Sequence, residues 1–301
     1  MKNLKKTLTI LLLALLFGGI EAYAQNTAAP YLSRATTASG EGYGGAYTAL
    51  ANDASATYWN PAGLAGVTSY SFTGMYSAGL AYDRVFNTAS LAYNLGEAGV
   101  IGIGFINAGV NDIMGYDEGN NQTGTFNNVN MAIGASYAFS ISEALSVGVT
   151  GKYLSQDLDV VKDEGYAMDL GVKFTQEQFM VGATYQNLLG ELGPDKLPHV
   201  LRAGLGLMPI PGLTAAVDLE VDDLSSDQYN AYLRFGAGYD IQVTEEFSIG
   251  VRSGMKDTEL NFGGNIGFSA EPINFSIDYA YAKEPNFFGA SHRIGLSING
   301  L

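Results

Sequence analysis

The 301-residue chain contains no cysteine, two histidines, one tryptophan and only fifteen lysines and arginines. Without cysteine there is no disulfide scaffold, no thiol catalysis and no cysteine-based zinc site. The two histidines, His199 and His292, lie far apart in sequence, and neither has a Ser-His-Asp spacing around it. No catalytic constellation can be named, and the expectation is that the chain is not an enzyme and needs no cofactor. Against the few basic residues stand thirty acidic ones, giving a net charge of −15, which argues against nucleic-acid binding. Charged residues make up only 15% of the chain, a low share for a soluble surface. Long apolar runs are also lacking: the longest, Leu8 to Gly19, is too short for a transmembrane helix.

That run belongs to a leader. Lys2, Lys5 and Lys6 form a basic start, the apolar stretch follows, and Ala22-Tyr23-Ala24 gives a small-x-small cleavage site. Residues 1–24 therefore read as a signal peptide, with the mature chain starting near Gln25. No cysteine follows the cleavage site, so a lipoprotein anchor is excluded. What the chain has in abundance is glycine, at 39 residues, and tyrosine, at 19. That mixture fits a membrane barrel, where aromatics form interfacial girdles and small residues allow tight packing.

From Val67 onward the sequence divides into segments of about ten residues with strict alternation. In "INFSIDYAYAK", Ile273, Phe275, Ile277, Tyr279 and Tyr281 share one face, and Asn274, Ser276, Asp278, Ala280 and Ala282 the other. In "LTAAVDLEV", Leu213, Ala215, Val217, Leu219 and Val221 oppose Asp218 and Glu220. A soluble β-sandwich would also alternate. Its strands, however, would be shorter, and its polar faces would carry dense Lys and Glu rather than Gly, Asn and isolated charges. The reading is an all-β chain: a transmembrane antiparallel β-barrel of about fourteen strands across 67–301. The first strand is expected near 67–77, the third and fourth near 98–108 and 127–139, and the last near 291–299. Short connections ("LGEAG", "SISEA", "TQEQ", "MPIPG", "QVTEE", "AEP") alternate with mostly longer ones, such as Gly109–Phe126, Gln156–Glu164 and Leu188–Pro198. Short turns belong at the periplasmic end of an outer-membrane barrel, and an even strand number puts both termini there.

Residues 25–66 break the alternation. "GYGGAYTALANDASATYWNPAGLAG", from Gly42 to Gly66, is small-residue-rich and holds Trp59. It resembles the N-terminal signature of the PorV/PorQ family of FadL-like outer-membrane barrels, in which Asn-Pro-Ala-Gly-Leu precedes the first strand. "LSVGVTGKYLSQDL", "GYAMDLGVKF", "GATYQNLLGELGPDKLPHVLRAGLGL" and "IDYAYAKEPNFFGASHRIGLSI" resemble later parts of the family in the same order. The resemblance implies a fourteen-stranded barrel with the N-terminal segment folded inside as a plug. Trp59, Asn60, Pro61, Ala62, Gly63 and Leu64 would form the motif that hands plug over to wall. It also implies location in the bacterial outer membrane, among its lipids. The implied role is that of a membrane-embedded partner for secreted or surface proteins, as in type IX secretion. The alternative is a FadL-like transporter or channel for hydrophobic or small solutes.

The polar strand faces offer a lumen network of Lys152, Asp169, Lys173, Arg202, Asp218, Glu220, Arg234, Arg252, Asp278 and Arg293. Both signs are present, and charges in a confined lumen need partners. Asp112, Asp117, Glu118, Asp157, Asp159, Asp163, Glu164, Asp222, Asp223 and Asp227 crowd the expected outer loops. A solvated acidic rim is the expectation there, since the spacing is not that of an EF-hand. A loop-bound Ca²⁺ on these oxygen ligands is the alternative. "NFFG" and "GLAY" (Gly79–Tyr82) would anchor outer loops at the headgroups. Glycines at Gly263-Gly264-Asn265 mark an expected strand kink.

Overall fold

The computed structural model describes residues 28–78, 80, 84–222, 230–256, 258–283 and 289–300. The leader, Asp223, Asp227 and most of the Gly79–Tyr82 and Asn286–Gly289 stretches lie outside the described residues. The strands are β1 (Tyr70–Ala78), β2 (Arg84–Asn94), β3 (Val100–Tyr116), β4 (Gln122–Ser140), β5 (Leu145–Leu158), β6 (Val161–Gln176), β7 (Phe179–Leu192) and β8 (Asp195–Lys196). They continue with β9 (Val200–Ile210), β10 (Leu213–Asp222), β11 (Asn230–Gln242), β12 (Phe247–Lys256), β13 (Glu259–Ala270), β14 (Ile273–Lys283) and β15 (Ala290–Gly300). Each wall strand pairs antiparallel with its neighbours, β1 pairs with β15, and β6 pairs with β7. The two-residue β8 adds only to β7, so fourteen strands make a closed barrel. Closure leaves no unpaired edge in a solvent that cannot hydrogen-bond a free backbone group.

The alternation decides which side faces out. In β14, Ile273, Phe275, Ile277 and Tyr279 are exposed, and Asp278, Ala280 and Ala282 are buried. The same pattern exposes Ile101, Ile103 and Phe105 in β3 and Val217 in β10. Exposed apolar side chains on this scale are stable only against lipid. Aromatics gather at both rims of the apolar band. Phe247, Phe268 and Phe275 pack together across three strands near the short turns, the first pair tilted at 5.1 Å and the second stacked at 4.9 Å between ring centroids. Tyr153, Tyr166 and Tyr279 mark the other rim. No helix of the described residues is long and apolar enough to cross a membrane; the crossing is made by strands.

The wall departs from the sequence reading in three places, the first being that β5 and β6 meet across Asp159 and Val160 alone, so most of the stretch Gln156–Glu164 is strand and not loop. β3 and β4 run on past the expected 98–108 and 127–139 to form a hairpin joined by residues 117–121, so most of the stretch Gly109–Phe126 is strand and not loop. Its outer part carries Asn107 and Asn127 on the outward face, which stop the lipid-facing alternation while backbone pairing continues. The kink expected at Gly263-Gly264-Asn265 is absent, because those residues pair in unbroken register with both β12 and β14. Register shifts fall instead between Val110 and Ile113 in β3, at the β6–β7 seam beside Met168, and between Leu213 and Ala215 in β10.

Ahead of β1 the chain forms short helical turns: a 3-10 turn Pro30–Ser33, helix α1 (Ala38–Gly42), helix α2 (Ala56–Trp59) and a 3-10 turn Pro61–Gly66. The Thr37 side chain accepts from Gly40 N and starts α1; Gly44 and Gly45, at φ 65° and 79°, end it with a left-handed bend that glycine tolerates.

Candidate functional site in the barrel interior

The residues of this N-terminal segment are among the most buried in the protein. Ala46, Ala49, Ala51, Ala54, Ala56, Trp59, Asn60 and Leu64 are all 0–1% exposed. Trp59 meets Tyr47 and Tyr58 edge-on at 5.5 and 5.2 Å between centroids. Each such contact contributes about 0.5–1.5 kcal/mol beyond the area it buries.

Inward-facing side chains of the wall hold the segment's backbone. Asp218 of β10 accepts from Tyr47 N at 3.0 Å and Thr48 N at 2.8 Å. Lys173 of β6 donates to Ala51 O at 2.6 Å, and Arg293 of β15 donates to Ala35 O at 2.9 Å. Thr88, Thr150, Ser146 and Gln186 donate to the carbonyls of Thr36, Thr57, Ala62 and Tyr58. The wall also makes room. A Cβ on Gly148 would come within 2.4 Å of Pro61 C, and one on Gly171 within 2.2 Å of Asn60 Oδ1.

The Trp59–Leu64 motif is organised around Asn60. Its extended backbone (φ −165°, ψ 105°) ends α2 and precedes Pro61, as the proline requires. Its Oδ1 accepts from Ala62 N at 3.2 Å and starts the next turn. Its Nδ2 donates to Thr48 O at 3.2 Å and to Val172 O of the wall at 3.1 Å. One buried amide thus joins two parts of the segment and β6.

All ten polar residues read from the strand faces point inward, and most are brought into direct pairs. Glu220 lies between Arg202 and Arg234 and pairs with both. Arg252 pairs with Asp278 at 2.6 Å, and Lys152 with Asp169 at 2.8 Å. Arg293 pairs at 2.5 Å with Glu41 of α1. Arg202 also lies over the rings of Tyr58 and Trp59, at 5.4 and 5.6 Å, and Arg252 over Tyr43 at 5.7 Å. The register explains a detail of this arrangement. Arg234 is the direct cross-strand neighbour of Asp218, yet its guanidinium goes to Glu220, which leaves Asp218 for the amides of Tyr47 and Thr48.

Sequence reasoning missed the partners outside the alternating strands. Glu41 sits in α1 and receives Arg293 and Asn261. Asn187, whose φ of 61° marks the break in β7, accepts from Lys152 at 2.7 Å and donates to Pro198 O. The signal available was the loss of alternation in Gln186-Asn187-Leu188-Leu189. Each histidine shares a hydrogen bond with a tyrosine of the adjacent strand: His199 with Tyr185 at 2.8 Å and His292 with Tyr279 at 2.7 Å.

Two carboxylates outside the wall shift in opposite directions. Burial is the largest influence on Asp53 and raises it above the ordinary carboxylate value, while hydrogen bonds from the Ser55 hydroxyl and amide, at 2.5 and 2.9 Å, oppose the shift. Asp117, in the β3–β4 connection, is lowered first by the Asn121 amide and then by the Asn121 side chain. Among the described residues, no group of three or more His, Cys, Asp or Glu is placed to hold a metal ion.

Above the segment, towards the longer connections, lies a cavity of about 880 Å³. Residues 28–31 and Glu41 line it from below, and Arg84, Val110, Asn128 and Lys283 from the sides. Its lining mixes charged and amide side chains with apolar ones such as Leu80, Val85 and Phe86.

A closed antiparallel barrel with an apolar outer band and a charged interior defines an outer-membrane β-barrel protein. Within that class the chain belongs to the PorV family: the family model for the type IX secretion system protein PorV matches residues 20–197. Three solved structures share the fold. The CymD monoaromatic hydrocarbon channel aligns with TM-score 0.60 at 14% identity, over 88% of this chain and 97% of that one. The toluene transporter TbuX of Ralstonia pickettii gives 0.58 and 12%, over 90% and 98%. A FadL homologue of Pseudomonas aeruginosa gives 0.56 and 13%, over 88% and 98%. No curated protein matches the sequence.

Proposed function

We propose that the chain acts in the outer membrane as a barrel-borne partner for secreted or surface proteins of a type IX secretion apparatus, and that residues 28–66 serve as a plug. The observation that carries the plug reading is the number of inward-facing groups committed to the segment's backbone, Asp218, Lys173 and Arg293 among them. The family match supports the secretion setting. A sealed barrel offers partners its rim and outer surface rather than a conduit. The role is non-catalytic and needs no cofactor. We orient the long connections outward, which leaves the end of β15 in the periplasm; the first described residue, Ala28, lines the cavity on the long-connection side.

The second reading, a channel, is favoured by the fold shared with hydrocarbon channels. A hydrophobic solute would need an apolar path. The interior instead carries paired arginines and carboxylates, which an apolar solute cannot satisfy. Removal of the protein from a bacterium that encodes it tests the choice. The secretion reading expects secreted proteins to accumulate in the periplasm while uptake of small hydrophobic solutes is unchanged. Normal secretion with lost uptake would sink it.

A further inference from the structure

The backbone ladder between β4 and β5 stops at Asn128, but β4 does not. β3 pairs with β2 only as far as Val110, and β4 pairs with β5 only from Asn128. Beyond those positions the two strands pair with each other, through Ile113 and Phe126, Met114 and Thr125, and Gly115 and Gly124. β5 has by then turned back into β6 across Asp159 and Val160. Among the described residues, no strand pairs with the second edge of β4 from Gln122 to Asn127.

Such an edge offers free N–H and C=O groups to any extended chain, and natural sheets blunt it with lysine, proline or a bulge. The stretch QTGTFN, Gln122–Asn127, has no lysine, no proline and no charge. Its one register shift lies at the tip, between Gln122 and Gly124. From Gly124 to Asn127 the edge is regular, about 13 Å long, and runs on in line with the β4–β5 ladder. It is also held in place. Asp112 N donates to Asn127 Oδ1 at 2.9 Å at the base, and Asn121 N to Asp117 Oδ1 at 2.8 Å at the tip. A two-stranded ribbon in water is marginal by itself, and a third strand completes it. The surroundings select the occupant by charge. Asp117 and Glu118 stand at the tip, and Asp157 and Asp159 at the β5–β6 turn below the edge, with Lys162 already paired to Asp157 at 2.6 Å. A second copy of the chain would bring the same carboxylates to the same edge and be repelled, whereas a cationic segment is attracted.

We propose that the β4 edge, Gly124–Asn127, takes up an extended, lysine- or arginine-bearing segment of a partner protein as an added strand. Main-chain hydrogen bonds supply the affinity, and the surrounding carboxylates set the preference for cationic side chains. The edge lies outside the barrel interior, on the side of the long connections. The assignment therefore stands whether or not residues 28–66 act as a plug or the chain serves secretion.

The probe is a short labelled peptide alternating lysine with threonine, titrated by fluorescence anisotropy with the full chain in neutral detergent at low salt. Saturable binding is expected, weakened by added salt, with amide exchange slowed in residues 122–127. Three controls separate strand addition from charge attraction. The same peptide N-methylated along its backbone keeps its charge and should bind at least about tenfold more weakly. A peptide with glutamate in place of lysine should not bind. A chain with residues 112–126 replaced by Asn-Gly, a two-residue hairpin turn, should lose the binding. Its β3 and β4 keep their pairing with β2 and β5, and heat-modifiable migration checks that the barrel is folded. Sedimentation in detergent should give parent and shortened chain the same oligomeric state. No saturable binding by the intact chain, or equal binding by the N-methylated peptide, the glutamate peptide or the shortened chain, would overturn the assignment. A dimer of the parent that the shortening abolishes would also overturn it, by giving the edge to a second copy.

Discussion

Arg293, in the last strand of the barrel, holds Glu41, in the first helix, at 2.5 Å, and both groups are withdrawn from bulk water. The pair therefore ties the N-terminal segment to the seam where β15 meets β1. Removing one partner leaves the other charge buried and alone, which costs roughly 3–5 kcal/mol, whereas removing both is often close to neutral. Arg293→Met should speed amide exchange across residues 38–51 sharply. Adding Glu41→Gln to it should restore much of the protection. Equal exchange in parent and single variant would show that the pair does not hold the segment.

The close seats in the wall make a second prediction. A Cβ on Gly254 would lie 2.1 Å from Gly44 N, a backbone atom that cannot step aside as a side chain would. Gly254→Val should leave barrel assembly intact, because β12 keeps its pairing with β11 and β13, but should displace the turn at Gly44. Limited proteolysis reads the outcome as cleavage within residues 38–51 that the parent resists. A variant as resistant as the parent contradicts this placement.

Acidity should tighten the segment. Burial raises Asp53 above the ordinary carboxylate value of 3.8, so the docked state favours its protonated form. The stabilisation is then fully present below that ordinary value and is lost as pH rises through the raised one. Quenching of the lone Trp59 by acrylamide should increase as pH climbs from about 4 towards neutrality, and Asp53→Asn should flatten the profile. A profile unchanged by Asp53→Asn assigns the dependence elsewhere.

Much of this architecture is legible in the sequence because lipid on one side and a polar interior on the other impose alternation. β14 and β10 show it without interruption, and their inward residues, Asp278, Asp218 and Glu220, were identifiable from position alone. The signal fades where its physical cause does. Beyond Asn127 and Asn107 the β3–β4 hairpin leaves the bilayer, so pairing continues with no apolar face to announce it. The glycines at Gly263-Gly264-Asn265 do not kink the wall; space for the Gly42 backbone, 3.2 Å from a Cβ on Gly263, accounts for the first of them. Partners such as Glu41 and the Thr48 amide sit in a segment with no periodicity, and only three-dimensional contact brings them to Arg293 and Asp218.

The central claim, that residues 28–66 close the barrel, is tested most directly by conductance. The intact chain and a chain lacking Gly42–Leu64 are reconstituted in planar bilayers, each verified as a folded barrel by heat-modifiable migration. The account predicts an essentially silent intact protein and stable open channels from the deletion. Equal conductance of the two would contradict it.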